Sequence, residues 1–252
     1  MESADKAAIA GGLNVTRPDI SQIIALMRVF NQYAMQSIKE KSINVLMDFL
    51  YSHLSATLQK LDNSKHACRM GCSFCCTNWV TASIPEILYV LKAIPNDRIA
   101  HIRTEIVTAT QTTAGKSPED RRTMVTPCPL LEASTCSIYE NRPLVCRTAV
   151  SNDAALCERV YFDASIEKIS GTFHHYGIKG IYGLALVGAL KKAGLTHNYF
   201  EYNSALNVAI NADTAEIDWL SGKDIFPDVA HDPEGEMFSS SWNQKIYEDA
   251  FS

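Results

Sequence analysis

Four of the chain's eight cysteines crowd into the nine residues Cys68-Arg69-Met70-Gly71-Cys72-Ser73-Phe74-Cys75-Cys76. Buried inert thiols pack as small hydrophobes and account for one or two such residues. Four so close together point to metal ligation by thiolates. In a helix of about 100° per residue, all four sulfurs would share an arc of about 100°. Gly71 argues instead for a turn in which backbone amides can approach a metal. Either way the consecutive Cys75 and Cys76 diverge, so the four do not close comfortably around one tetrahedral ion. Further ligands, or more than one metal, are expected.

A second group supplies candidates: Cys128, Cys136, Cys146 and Cys157. Pro143 suits the first position of a helix, which puts Cys146 in the first turn, where the helix dipole and Arg147 favour a thiolate. Cys157 follows, on a continuation of that helix. A structural zinc site of four cysteines normally shows two separated C-x2-C pairs, which is not this pattern. Iron also accepts thiolates, and iron–sulfur clusters draw them from irregular spacings. The spacing leaves iron, iron–sulfur cluster and zinc open. Cys68-x3-Cys72-x-Phe74-Cys75 also matches literally the C-x3-C-x-aromatic-C arrangement of radical S-adenosylmethionine enzymes, but that motif belongs after the first strand of a β/α barrel, and a polar helix end precedes it here. There is no G-x-G-x-x-G or P-loop fingerprint. Around the cysteines, Arg142 and Arg147 are candidates to shield thiolate charge, while Tyr139 reads as packing. The pair His174-His175 reads as surface or hinge, His66 as a weaker candidate, and His53 as a helix-surface or core-edge histidine.

The elements that must position these residues read as helices. Ile23, Met27, Phe30 and Ala34 share one face from Ser21 onward, and Ile43, Leu46, Leu50, Leu54, Leu58 and Leu61 repeat the pattern up to the stop at Asp62-Asn63-Ser64. Ser83-Ile84-Pro85-Glu86 has the form of a capping box, opening a helix that Pro95 ends. Asn96 or Asp97 can cap the next, through Ile99, Ile102, Ile106 and Val107, and Ser117 to Asp120 starts a short one. Beyond Ser165, Gly171, Gly177, Gly180, Gly183 and Gly188 interrupt a helical pattern in which Leu184, Val187 and Leu190 share a face, while Ala185, Gly188 and Ala189 allow a second helix to approach closely. Phe200, Leu206, Val208 and Ile210 suggest another helix, and Asp213-Thr214 one ending near Trp219-Leu220 and Gly222. No long alternating strand pattern occurs.

At 252 residues, 46% hydrophobic and 20% charged, the chain can bury a core without disulfides. A net charge of -5 argues against nucleic acid or an anionic membrane surface, which need clustered Lys and Arg; Arg121-Arg122 and Lys191-Lys192 are too short to change that. The start, Met1-Glu2-Ser3-Ala4-Asp5-Lys6, lacks a secretory layout, and no apolar run reaches the length of a membrane span. The expected location is cytoplasmic, where thiols stay reduced for metals.

Gly71-Cys72-x-x-Cys75-Cys76, the following S-x-P-E helix start, Cys128-Pro129-Leu130-Leu131, Cys136-x-Ile138-Tyr139 and Arg142-Pro143-x-x-Cys146-Arg147 together resemble the CxxCxxCC family of zinc- or iron-chelating cysteine-cluster proteins. The resemblance covers roughly Cys68 to Cys157. It implies metal binding through Cys72, Cys75, Cys76, Cys128, Cys136 and Cys146, and carries Cys157 with them. Cys68 departs from the pattern, with three residues rather than two before Cys72. A flagellin lysine methylase shares the cysteine motif, so the resemblance also implies that some members are iron–sulfur enzymes. The expected protein is mainly α. A flexible arm over residues 1–20, including Arg17-Pro18, precedes a helical metal-binding domain over 21–222 whose cysteine core is 66–160. An extended tail over 223–252 follows, with Asp232-Pro233 and Gly235 in it and Trp242 and Tyr247 as anchors. Its expected function is to hold iron, alone or as an iron–sulfur cluster, or zinc, through all eight cysteines. The alternatives are an iron–sulfur enzyme, methylase-like or radical S-adenosylmethionine-like, acting on a protein or small molecule, and a structural zinc module for partner binding. Catalysis, and any substrate, is left open.

Overall fold

The computed structural model describes residues 2–15, 19–163, 165–166, 173–230 and 240–252. Arg17-Pro18, Gly171, Asp232-Pro233 and Gly235 lie outside the described residues. Among those described, twelve α-helices carry the chain and the strands are confined to two antiparallel pairs. The fold is mainly α, as the apolar periodicity predicts.

In chain order, α1 (Glu2–Ala8), α2 (Ile20–Glu40) and α3 (Asn44–Leu58) lead to the first cysteine group. Next come strand β1 (Thr81–Ser83) and helices α4 (Ile84–Lys92), α5 (Ile99–Thr113) and α6 (Pro118–Thr123). The hairpin β2 (Leu131–Glu132) and β3 (Thr135–Cys136) precedes α7 (Leu144–Thr148) and α8 (Ala154–Phe162). The chain then runs through α9 (Phe173–Lys192), β4 (Tyr199–Glu201), α10 (Tyr202–Ile210), α11 (Ala215–Leu220) and α12 (Ser241–Phe251). Both predicted capping boxes form: Ser83 with Glu86 at α4, and Ser117 with Asp120 at α6. Helix α5 starts one residue after the predicted caps, with Arg98 at the cap position.

Helix α2 is the hub, packed by α1, α3, α9 and α12. Its predicted face of Ile23, Met27, Phe30 and Ala34 is buried throughout. Against it α9 turns the small residues that the sequence singles out: a Cβ on Gly188 would sit 2.5 Å from the Met27 sulfur, and Asn31 Nδ2 donates to Ala189 O at 3.1 Å. Strand β1 pairs with β4, Thr81 opposite Glu201 and Ser83 opposite Tyr199, which ties the segment after the first cysteines to α10.

Both ends of the chain carry helices that the sequence pattern does not show. Helix α1 packs on α2, and the segment that follows it is buried, Ile9 and Leu13 being 2% and 1% exposed. Lys60 Nζ donates to Gly12 O at 2.6 Å, and Leu13 N to Thr57 Oγ1 at 2.9 Å. Glycine is required at position 12, where φ is +93° and a Cβ would lie 2.7 Å from Thr57 N. The expected extended tail instead ends in α12, whose terminal carbonyls Ala250 O and Asp249 O accept from Arg28 at 2.6 and 3.1 Å. In each case apolar surface too sparse to show a helical period is buried by docking on α2, a tertiary effect that local pattern does not carry.

His53 is fully enclosed rather than at the core edge. Its Nε2 lies 2.8 Å from Ile9 O and its Nδ1 2.6 Å from the Tyr182 hydroxyl, which also meets Thr57 Oγ1 at 2.6 Å. A neutral ring satisfies both contacts, donating from Nε2 and accepting at Nδ1. Burial accordingly lowers its pKa, against the raising effect of the Ile9 carbonyl.

A histidine depressed in the fold takes up its proton on unfolding, so its contribution is complete above about pH 6.5 and is lost as the pH falls toward the folded value. Thermal melts should therefore show stability declining below about pH 6.5, with a shallower slope in His53→Gln. Gly12→Ala, which combines a positive φ with a backbone clash, should cost about 2–4 kcal/mol in urea unfolding if α1 is docked. A change below about 0.5 kcal/mol would restore the loose arm.

Candidate metal centre

The first cysteine group is a turn, not a helix. Gly71 takes φ +88°, Cys72 N donates to Arg69 O at 3.0 Å, and a 3-10 turn over Phe74–Thr77 follows. The absent side chain at Gly71 is what allows this conformation. The second group is presented by the β2–β3 hairpin, where Cys136 stands opposite Leu131, and by α7. Pro143 caps α7 rather than occupying its first position, with Cys146 in the first turn. Helix α7 ends at Thr148, so Cys157 lies on the separate helix α8, not on a continuation.

Three sets of hydrogen bonds join the groups. Cys128 N donates to Cys76 O at 2.7 Å, and Ala67 N to Ser151 O at 2.9 Å; Ser151 N also donates to the Cys68 sulfur at 3.1 Å. The third set centres on Glu86, 1% exposed, which accepts from Ser83 N at 2.9 Å, Ser83 Oγ at 2.6 Å and, across the fold, Leu144 N at 2.7 Å. Burial raises its carboxyl pKa and these donors oppose the rise. The capping box that starts α4 therefore also holds the first residue of the cysteine-bearing α7.

Cys68, Cys72, Cys75, Cys76, Cys128, Cys136 and Cys146 line one cavity of about 190 Å³. Cys157 instead lines a neighbouring cavity of about 360 Å³, whose wall includes Cys75, Asn78 and Trp79 from the central one. The consecutive pair is thus split: of the two cavities, Cys76 borders only the central one and Cys75 both. A third cavity, about 270 Å³, shares Val145 with the central one and is floored by α9 at Gly177, Gly180 and Gly183.

Burial holds the thiols protonated: it raises Cys128 to about 12 and Cys146 well above the ordinary range, and raises Cys136 and Cys68. Cys75 is raised first by its hydrogen bond with the Cys76 thiol. The thiolate expected at Cys146 from the dipole and Arg147 is opposed by desolvation, which raises the thiol pKa. The cation that lowers Cys146 is Arg142, which lines the cavity with its guanidinium 3.5 Å from the Tyr139 ring and its Nε on Tyr139 O at 2.8 Å. Arg147 turns away, 4.2 Å over the Tyr51 ring.

The cavity also contains a buried ion pair. Arg121 and Glu201 have side chains 3% and 4% exposed and approach to 3.5 Å. Glu201 also caps α10, accepting from Asn203 N and Ser204 N. Arg121 Nη2 reaches Thr77 O and Asn78 O at 3.4 Å, Nη1 is the atom that faces Glu201 Oε1 at 3.5 Å without forming a hydrogen bond, and Nε has no acceptor. In the sequence Arg121 is one of two adjacent arginines on a short polar helix and Glu201 is an acid beside a strand; no local signal sets them apart. Of the histidines, His175 is buried and its ring lies edge-on to His66 at 4.7 Å, whereas His174 is exposed.

Among the described residues no three His, Cys, Asp or Glu side chains converge closely enough to hold one ion. The donor set nevertheless fits a thiophilic metal: seven cysteines line one cavity, with a buried guanidinium whose Nε lacks an acceptor beside them. Residues 67–164, which contain all eight cysteines, match the CxxCxxCC family, described as a "putative zinc- or iron-chelating domain". No curated protein and no solved structure matches the chain.

Glu86→Ala removes the shared acceptor of Ser83 and Leu144. It should cost about 2–4 kcal/mol in urea unfolding and speed alkylation of Cys146 in the metal-free protein. Unchanged alkylation would show that α7 is held by other contacts.

Proposed function

We propose that this protein binds iron or zinc through its cysteines, the two groups contributing jointly to one centre. The observation that carries this reading is the cavity shared by seven thiols drawn from both groups, fastened by the Cys128 N to Cys76 O bond. Cys72, Cys75, Cys76, Cys128, Cys136 and Cys146 would hold the metal, with Cys68 at the mouth of the first turn and Cys157 on the neighbouring wall as further ligands. A bound zinc would supply a closed structural centre, and a bound iron or iron–sulfur cluster a redox or Lewis-acid centre. The chain's own residues hold the two ligand segments in register, exclude water through Leu130, Ile138 and Val145, and provide Arg142 and Arg121 as countercharge. Free thiols and the acidic charge suit a cytoplasmic setting.

A second reading, an iron–sulfur enzyme acting on a protein or small molecule, is favoured by the cavities that adjoin the centre at Cys75 and at Val145, which a pure chelator does not require. The literal radical S-adenosylmethionine spacing lacks its usual setting, since the described residues contain no parallel strands.

Metal analysis and an absorption spectrum of anaerobically purified protein test both readings. At least one metal per chain is expected, coloured and oxygen-sensitive under the enzyme reading and colourless if zinc is bound. Cys128→Ser and Cys136→Ser should lower the content as much as Cys75→Ser does, and Cys157→Ser least. Full metal in the Cys128 and Cys136 variants would confine the site to the first group. Less than one metal per chain, with Cys72→Ser and Cys146→Ser leaving stability unchanged, would overturn the reading.

A further inference from the structure

We infer that Arg121 is the buried countercharge of the metal–thiolate centre, with Nε available to donate to a cysteine sulfur of that centre. This rests on the metal-binding reading above and adds to it a residue that no cysteine motif contains.

The inference starts from an incomplete ion pair. A guanidinium carries five N–H donors, and leaving one unmet in a dry interior costs about 1–3 kcal/mol. Arg121, 3% exposed, spends Nη2 on two long contacts to Thr77 O and Asn78 O, and meets Glu201 at 3.5 Å, outside good hydrogen-bonding geometry. The Glu201 carboxylate is shared with the start of α10. A pair built only for stability would close better than this, because a buried charge is tolerated only with its hydrogen bonds satisfied.

Candidate acceptors line the same cavity, which Arg121 shares with seven cysteines. Metal loading replaces thiol protons with a cation, and four thiolates around a divalent ion leave about two uncompensated negative charges. Of the other arginines at or beside the cavity, Arg69 is exposed, Arg142 stacks on the Tyr139 ring and gives its Nε to Tyr139 O, and Arg147 turns to the Tyr51 ring and Arg142 O. Among the described residues, Arg121 is the arginine with buried N–H groups lacking an acceptor. Outer-shell partners of this kind typically set metal affinity within about 10–100-fold.

Co²⁺ is the probe, added to anaerobic metal-free protein, with sulfur-to-cobalt charge-transfer absorption as readout and a competing chelator fixing the affinity. Arg121→Met should weaken Co²⁺ about 10–100-fold. Glu201→Gln, which removes the competing carboxylate and leaves Arg121 its whole charge for sulfur, should tighten it. A merely structural pair moves both variants in the same direction, so like signs, or a change under about threefold in Arg121→Met, overturn the inference. If Arg121→Met fails to fold by circular dichroism, Arg121→Lys takes its place. It keeps the charge but loses the fork, and must bind more weakly than the wild type while Glu201→Gln binds more tightly; either sign failing overturns the inference. Wild-type protein that takes up no Co²⁺ would bring down the metal-binding reading and this inference together. Loaded wild type with an unaffected Arg121 variant would bring down this inference alone.

Discussion

One buried carboxylate fixes where the two cysteine groups meet. Glu86 closes the capping box of α4, which is a local matter of four residues, and reaches across the fold to the first backbone donor of α7. A helix of five residues does not persist on its own in water, so α7 holds its shape because its end is tied. Cys146 is thereby placed relative to β1, and β1 relative to the 3-10 turn that carries Cys75 and Cys76. The cost of burying that carboxylate, visible in its raised pKa, is offset by three donors that would otherwise be unmet beneath the site.

The layer below is set by the α2–α9 contact. Gly188 lets the helices approach until the Met27 side chain fills the space a Cβ would take, and α9 in turn packs on α7. The cysteine-lined cavity therefore stands on a helical base, while its own lining is turns, a hairpin of two-residue strands and short helices. That division suits a ligand set gathered from positions 68 to 157 of the chain: the core fixes the frame, and the irregular segments supply the varied backbone directions that sulfur ligation needs.

What could be read from the sequence follows the range of the interactions responsible. The buried face of α2, both capping boxes and the close approach at Gly188 were legible, because each is written in residues three or four apart or in one residue's size. The turn at Gly71 was legible as an alternative to a helix. The docking of α1 was not: it depends on Gly12 meeting Thr57 and on His53 meeting Ile9, pairs more than forty residues apart. The Arg121–Glu201 pair was hidden for the same reason, since burial converts two ordinary surface residue types into a charged floor for the cavity. The separation of Cys157 from Cys146 was missed because a helix run was extended through Ala149 to Asp153, where the chain turns to let Ser151 meet Cys68.

The consecutive Cys75 and Cys76 bring these threads together. Both line the central cavity, but they divide it: Cys76, bonded through its carbonyl to Cys128 N, borders that cavity alone of the two, while Cys75 is exposed and stands where it meets the one walled by Trp79 and Tyr161. A sulfur at such a boundary is open to oxidation and exchange in a way that the enclosed sulfurs are not. Burial raises the thiol pKa at Cys128 and Cys146, whose segments are anchored by the Cys76 and Glu86 hydrogen bonds. The interior sulfurs are held in place by backbone hydrogen bonds, and Cys75 is the cysteine through which the central cavity meets its neighbour.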